Sequence, residues 1–428
     1  MIRCSVAGLV GYGRAKLRTS LLGLRGRSIH GGKIDDSNVN PVAIQMIDYA
    51  LSLAHSLKSD ESYAEGMLIL EQCLASGSSL DQVDLCSAHN SMGMVLLAMS
   101  DLLFDRGKYG DAMDKLQRAA HLTHASLGVR VAAMEALAGI NLQLGDEDAS
   151  SVLADRCMEI VESEGKISVV GLEEARVRAT SIKALVEVAR GDLASAEALF
   201  ERLKSNRVVA GSGALSHGEF LHVTNHLTEA KHLYQKVIED VGKTKNFSSI
   251  NTLGACNMEP KEILLAASCS LGQLESHMGN FDAAEETLTK ALNGAEQTFG
   301  PRHPKIGVVL TCLALMFRNK ARAENSSCLL IQEGLFRRAA ELMKIPTVDS
   351  EDARIVGSMR NIAAIVRGGY GQVLEIQENR KSEGEKMRKW ADAAWNNPRF
   401  SLAEVLDFAE AGSSRGRPVI DARICRAL

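Results

Sequence analysis

The chain has 428 residues, of which 46% are hydrophobic and 24% are charged, while only 4% are aromatic and seven are proline. This composition can bury a large core, and it favours alanine- and leucine-rich helices over a sheet protein. No stretch of about 18 uninterrupted apolar residues occurs, so no membrane span is expected. The nine cysteines are scattered without a Cys-x-x-Cys motif, which favours buried thiols in a reducing compartment.

The first 30 residues are basic and contain no acidic residue. Their cations alternate with serine, glycine and leucine, which is typical of a presequence that an inside-negative organelle membrane attracts. We predict a mitochondrial transit peptide over 1–30, a linker over 31–40 and a location in the mitochondrial matrix. The chloroplast stroma is the alternative location, since composition does not separate the two kinds of leader. A disordered basic tail is the alternative for residues 1–30 themselves.

The charge balance disfavours a nucleic-acid ligand. Residues 1–30 hold six of the 49 lysines and arginines and none of the 53 acidic residues, so the remainder carries a net charge of −10. Nucleic-acid affinity comes largely from neutralised phosphates. The main partner is therefore expected to be a protein.

A pattern of small residues recurs along the chain. Gly107, Tyr109 and Ala112 are followed by Leu116 and Ala119, and the same types recur at the same offsets from residue 279. A glycine can end a helix, an aromatic residue can fill the corner, and alanines let two helices approach closely. Such helix pairs bury their apolar faces only by stacking on further pairs, so the pattern predicts an all-α solenoid of antiparallel helix pairs.

The recurrence also predicts the domain organisation. We place the turns within the pairs near residues 61, 107, 145, 191, 225, 279 and 321, with a last, degenerate pair over 351–394. The predicted parts are N-terminal repeats over 41–240, a loop insertion over 241–262, C-terminal repeats and capping helices over 263–395, and a short helix with a basic disordered tail over 396–428. The polar run at 243–249 indicates a flexible surface loop. A last contact in a groove is the alternative for residues 412–428.

These offsets resemble the tetratricopeptide repeat. The stretch 279–320, with Phe299-Gly300 and His303-Pro304 between its helices, is similar to the 42-residue variant found in kinesin light chains. The resemblance implies a right-handed superhelical solenoid that binds proteins and is not an enzyme. It fails where kinesin light chains bind cargo, because the expected paired asparagines are Thr311-Cys312 here, so the fold is carried over and the cargo is not.

In tetratricopeptide arrays the first helices of the pairs line a concave groove. The resemblance implies that a partner helix or extended segment would lie against these first-helix residues: Leu97, Asp101, Phe104, Glu135, Leu185, Glu219, Gln273, Thr311, Leu315 and Arg318. A groove filled by the chain's own tail is the alternative. The partner's identity and the oligomeric state are left open.

No motif indicates catalysis or a metal site. His217, His222, His226 and His232 lie close together in the sequence, and His222 and His226 are one helical turn apart. No His-Glu-x-x-His order accompanies them, which favours ordinary turn and surface histidines over metal ligands. Nucleophile elbows and dinucleotide motifs are absent from the sequence. We expect no catalytic residue, metal or cofactor.

The sequence therefore predicts a non-enzymatic scaffold or adaptor in mitochondria that acts in the assembly or maintenance of an organellar complex. The alternative is an RNA-binding helical-repeat protein of the pentatricopeptide type in organelle gene expression. The alanine and glycine pattern, the irregular spacing of the turns and the acidic remainder disfavour that alternative.

Overall fold

The computed structural model describes residues 39–77, 85–164, 171–203, 211–242, 253–346, 359–407 and 416–428. The transit peptide predicted over 1–30, most of the linker over 31–40 and the polar run at 243–249 lie outside these residues.

The fold consists of helix pairs joined by short turns. In chain order the pairs are α1 (Pro41–Leu57) and α2 (Asp60–Gly77), α3 (Leu85–Asp105) and α4 (Tyr109–Ala120), α5 (Leu127–Leu144) and α6 (Glu147–Glu164), α7 (Leu172–Arg190) and α8 (Leu193–Leu203), α9 (Gly211–Val223) and α10 (Leu227–Val241), α11 (Pro260–His277) and α12 (Phe281–Phe299), α13 (Pro304–Ala323) and α14 (Leu329–Leu342), and α15 (Arg360–Glu375) and α16 (Lys381–Ala394). The short helix α17 (Leu402–Leu406) and the strands β1 (Ile420–Asp421) and β2 (Arg426–Ala427) follow. Single 3-10 turns lie at Cys256–Met258 and Glu378–Arg380.

The pairs stack in one continuous row. Each helix from α1 to α15 packs on the next in the chain, and each first helix, from α1 to α15, also packs on the first helix of the following pair. The first helices therefore form one layer and the second helices another, which is the arrangement of a helical-repeat solenoid. The predicted all-α fold class is confirmed. No described helix combines the length and the hydropathy that crossing a bilayer requires.

The small residues lie where two helices come closest. Ala112 and Ala284 are fully buried. A Cβ atom placed on Gly272 of α11 would lie 2.5 Å from Cγ of Leu288 on α12, so the crossing admits no side chain there. Gly279, which ends the same turn, has a φ of +81°, a left-handed conformation that favours glycine.

Two turns lie a few residues away from their predicted positions. Helix α1 ends at Leu57, before the predicted turn near residue 61, and α13 continues past residue 321 to Ala323. The left-handed residues of these turns are Lys58 and Asn325, with φ of 51° and 48°. A search for glycine misses both turns, because a lysine and an asparagine adopt the conformation that glycine usually supplies.

Two predictions about irregular segments differ from the structure. The loop insertion predicted over 241–262 includes residues 253–259, which are buried; we call them the inner strap. The short helix predicted within 396–428 is α17, but the disordered tail predicted after it is wrong for residues 417–428, which form a buried hairpin; we call it the inner hairpin. Both segments pack against the first helices, because each carries apolar side chains that the row of first helices covers.

The expectation of buried thiols holds for most of the described cysteines, none of which forms a disulfide. Cys86 is exposed and Cys328 is partly exposed.

Overpacking tests the helix crossings. Replacing Ala284 with leucine should lower the free energy of unfolding by about 1–3 kcal/mol, because the crossing has no room for three more carbon atoms. The neighbouring Ala283 is exposed, so Ala283→Leu is the matched control and should change stability little. Urea denaturation of both variants measures the difference. Equal midpoints for Ala284→Leu and the natural chain would contradict the register that buries Ala284 at this crossing.

Candidate functional site

The candidate site is the surface of the first helices that the inner hairpin covers. The two strands of the inner hairpin pair antiparallel, with Ile420 opposite Ala427 and Asp421 opposite Arg426. A further hydrogen bond of 2.8 Å runs from the Leu428 amide to the Val419 carbonyl. The apolar side chains of the hairpin are all buried in the same core as the helices: Val419, Ile420, Ala422, Ile424, Cys425, Ala427 and Leu428. The hairpin thus lies where a bound peptide would lie in an open groove.

Three side chains hold the hairpin through its backbone. The Ile420 amide donates to Oε1 of Gln273 at 2.8 Å, and Nε2 of Gln273 donates to the Ile420 carbonyl at 3.0 Å. Nζ of Lys305 donates to the carbonyls of residues 422 and 423 at 2.6 and 2.8 Å. Nδ2 of Asn397 donates to the Ala427 carbonyl at 2.7 Å. These contacts depend on the backbone path of the segment and not on its side chains.

One arginine anchors the hairpin by its charge. Nη2 of Arg423, which is fully buried, donates to Oε2 of Glu219 at 2.6 Å and to Oδ2 of Asp421 at 2.9 Å. Burial raises the pKa of Glu219 well above its usual value, Arg423 opposes this, and the Asp421 carboxylate adds to it. Burial alone would lower the pKa of Arg423, but Asp421 and Glu219 outweigh it and raise that pKa. Two carboxyl groups therefore share one buried guanidinium.

Two further arginines fasten the hairpin at its ends. Arg426 forms an ion pair with Glu147 at the start of α6 and donates to the Leu142 carbonyl at 3.3 Å. Arg417 donates to the carbonyl of His277 at the end of α11. Carbonyls at a helix C-terminus carry partial negative charge, so both backbone contacts suit a cation. The hairpin thus spans the first helices from α5 to α15.

The inner strap covers the neighbouring part of the same surface. The amide of Cys256 donates to Oδ1 of Asp101 on α3. A Cβ atom on Gly139 of α5 would lie 2.5 Å from Oδ1 of Asn257, so the strap approaches α5 as closely as a glycine allows. Burial raises the pKa of Asp101 well above its usual value, with Glu259 adding to the shift.

An ion cluster holds the end of the inner strap. Nζ of Lys261 lies 3.0 Å from Oδ2 of Asp105 on α3 and 2.8 Å from Oε2 of Glu259. Burial alone would raise the pKa of Asp105, but Lys261 and His55 outweigh it and lower that pKa. The carboxylate is charged and paired, so it joins the strap to the N-terminal pairs.

The residues predicted to bind a partner have different surroundings. Glu219 and Gln273 contact the inner hairpin, and Asp101 contacts the inner strap. The other seven residues contact other parts of the chain. Leu97, Leu185 and Thr311 are buried, and Phe104 packs edge-on against Tyr109. Glu135 binds Arg178 and Ser212, Leu315 lines a small cavity beside Ile420, and Arg318 pairs with Asp407. The alternative of a groove filled by the chain's own tail is therefore what the structure shows at Glu219 and Gln273. Partner binding by these ten residues stays a prediction.

Sequence reasoning missed Lys305, Asn397 and Ser216, which all contact the inner hairpin. Lys305 is the second residue of α13 and looks like an ordinary exposed lysine, yet its side chain is only 2% exposed. Its partners lie on α11 and on the hairpin, so no local pattern identifies it. The one signal for the hairpin was the cluster of arginines in a tail that also carries apolar residues.

The sequence cluster of histidines does not form one site. His222 is buried, with Nε2 2.8 Å from Nδ1 of His277 and Nδ1 3.3 Å from the Tyr234 hydroxyl. His226 is exposed beside Thr224, and His217 stacks on Phe200. In the part of the chain that the structure describes, no three histidine, cysteine, aspartate or glutamate side chains gather as metal ligands would.

A second cavity lies on the face of α11 opposite the inner hairpin. Its volume is about 360 Å³. Apolar side chains of α10, α11 and α12 line most of it, among them Ile238, Leu264, Leu271 and Phe299. The cavity faces solvent beside Lys290.

Comparison with known proteins agrees with this architecture. Residues 264–305 match the family model of the tetratricopeptide repeat, and they cover most of α11, all of α12 and the start of α13. This part of the chain is similar to a tetratricopeptide repeat, and the chain is a tetratricopeptide-like helical-repeat protein. No curated protein matches the sequence.

One similar solved structure is that of BtubC (BKLC) from P. vanneervenii, with 13% sequence identity and a TM-score of 0.37 over 60% of this chain and 96% of that chain. The similarity is low, and the helix pairs of this chain by themselves define its fold.

Acid should destabilise the fold through the buried histidines. Burial lowers the pKa of His222, and it lowers that of His277 to about 3. The unfolded chain binds protons below about pH 6.5, where these folded histidines do not, so their contribution is complete above that pH and is lost as the pH falls. At pH 5 the loss through His277 should be about 2 kcal/mol, and His222 should add to it in the same direction.

Urea denaturation at pH 7.5 and pH 5 measures this loss. His277→Gln should reduce the pH dependence, whereas His121→Gln, at an exposed position, should leave it unchanged. An equal pH dependence in the natural chain and in His277→Gln would show that the buried pair does not cause it.

The ion pair of Lys305 with Glu262, at 2.9 Å and almost fully buried, gives a second test. Lys305→Met should lower the free energy of unfolding by about 3–5 kcal/mol, because it leaves a buried carboxylate without its cation. The double variant Lys305→Met, Glu262→Gln should recover part of that loss. If the double variant is no more stable than the single one in urea, the pair is not what stabilises this part of the site.

Proposed function

We propose that this chain is a non-enzymatic scaffold that binds a protein partner in mitochondria and serves the assembly or maintenance of a complex there. The tetratricopeptide match supports a role in protein interaction in general. The observation that carries the proposal is the inner hairpin itself. The layer of first helices holds a segment of protein through its backbone and through one buried arginine.

The chemistry of this surface favours a protein ligand over RNA. Its charged side chains include Asp101, Glu135, Glu219 and Glu262, which are buried carboxyl groups that face the inner strap and the inner hairpin or lie beside them. Carboxylates repel phosphates and pair with guanidinium groups. A protein segment with basic and apolar residues matches such a surface, whereas an RNA backbone does not.

The same groups support a binding role rather than catalysis. Glu219 pairs with Arg423, Glu262 with Lys305, and Asp105 with Lys261. A general acid or base acts by reaching the proton of a substrate. These carboxyl groups are enclosed and paired with the chain's own cations, which is the arrangement expected of a structural or binding surface.

The mitochondrial location rests on the composition of residues 1–30. Radiolabelled chain should enter isolated mitochondria, become protected from added protease and lose about 30 residues, and dissipating the membrane potential should prevent this. A chain in which the arginines and the lysine of residues 1–30 are replaced by glutamine is the matched control and should remain outside. Import into chloroplasts, or full-length protein outside both organelles, would contradict the proposed location.

Partner binding is tested by crosslinking in intact mitochondria followed by immunoprecipitation of the natural chain. A protein recovered in a constant ratio to the chain, before and after ribonuclease treatment, is the expected result. Recovery of material that ribonuclease abolishes would favour the RNA-binding alternative and contradict the proposal.

A further inference from the structure

We propose that the inner hairpin is a displaceable occupant, and that its site takes in its place a partner segment that carries an arginine in a tight turn between apolar residues. This inference rests on the proposed function. It adds the position of the binding site, the chemistry of the partner and the reason why the site is closed in the free chain.

The backbone contacts allow exchange of one segment for another. Gln273 satisfies both the amide and the carbonyl of residue 420, and Lys305 binds two successive carbonyls at the turn. Any segment that follows the same path offers the same groups, since every residue other than proline carries one donor and one acceptor. Recognition by backbone contacts gives affinity without demanding one particular sequence.

The charges of the site demand an arginine at one position. Glu219 and Ser216 of α9 both face the guanidinium of Arg423, and Glu135 lies near enough to raise the pKa of Arg423 as well. An apolar occupant would leave the buried Glu219 without its cation, which is costly. Arginine suits this position better than lysine, because its planar group donates to several acceptors at once.

The natural hairpin leaves one of these groups partly unsatisfied. Oε1 of Glu219 is buried, and no described residue donates a hydrogen bond to it. A small cavity of about 20 Å³ also remains between Pro418, Ile420 and the facing side chains of α13. An unsatisfied buried acceptor costs free energy. A partner segment that donates to Glu219 and fills the cavity can therefore compete with the hairpin.

A competition experiment tests the displacement. A fluorescent peptide with the sequence of residues 417–428 is titrated against the full chain and against the full-length variant Arg423→Met, whose own hairpin lacks the anchor. The peptide should bind the variant at least tenfold more tightly than the natural chain. The matched control peptide, with methionine in place of the arginine at 423, should lose at least tenfold in affinity for the variant.

Two results of the titration would overturn the proposal. One is that both peptides bind the folded variant equally, because the arginine pocket would then not select the ligand. The other is that light scattering shows dimers of the natural chain during the titration, because the site would then belong to a second copy of this chain.

Hydrogen exchange of the natural chain tests the same proposal without a variant that has to fold. The amide of Ile420 donates to Gln273, and that of Leu428 donates to the Val419 carbonyl. Both should exchange at least tenfold faster than the central amides of α11 and α13, through an opening with little urea dependence. Equal rates and equal urea dependence for hairpin and helices would show that the hairpin opens only on global unfolding, and would overturn the proposal.

The failure of this inference differs from the failure of the proposed function. If the inference holds, crosslinked partner recovered from mitochondria should increase with Arg423→Met. Equal recovery with the variant and the natural chain would place the partner outside the site, which overturns the displacement and leaves the scaffold function standing. Recovery of no protein with either chain would contradict both.

Discussion

The structure depends on one ion pair that joins distant parts of the chain. Arg423 and Glu219 are 204 residues apart in sequence and are both fully buried. A solenoid is stabilised mainly by contacts between neighbouring repeats, so its pairs behave almost as a one-dimensional array. The inner hairpin breaks this locality, since it also joins Arg426 to Leu142 across 284 residues. It turns an open surface of first helices into an enclosed core.

The inner strap acts in the same way on the N-terminal pairs. Lys261 lies just beyond the strap and pairs with Asp105, 156 residues away, while the Cys256 amide binds Asp101. At Asp101 and at Glu219, a first helix supplies the carboxyl group and the later segment supplies the amide or the cation. The acidic surface and the basic segments are complementary within one chain. The pattern of small residues that predicts the helix pairs therefore does not distinguish an open first-helix surface from one that the chain itself covers.

The sequence predicted the helix pairs because their determinants are local. Ala112 and Ala284 are buried at the crossings where the recurring offsets place them, and Gly279 takes the left-handed conformation of its turn. The two turns in which Lys58 or Asn325 takes the place of glycine lie a few residues away from their predicted positions. The candidate site was predicted only in part. Glu219, Gln273 and Asp101 lie on the expected surface, whereas Lys305 shows no local sign that its ammonium group is buried.

The sequence by itself determined the stacking of helix pairs, since each pair is specified by small and apolar residues within some forty positions of one another. Only the tertiary structure decided that residues 253–259 and 417–428 lie against the first helices. The physical reason is the range of the interactions. A segment between two repeats and a basic tail look solvated in sequence, and the carboxyl groups that bind them are brought near only when the repeats have stacked.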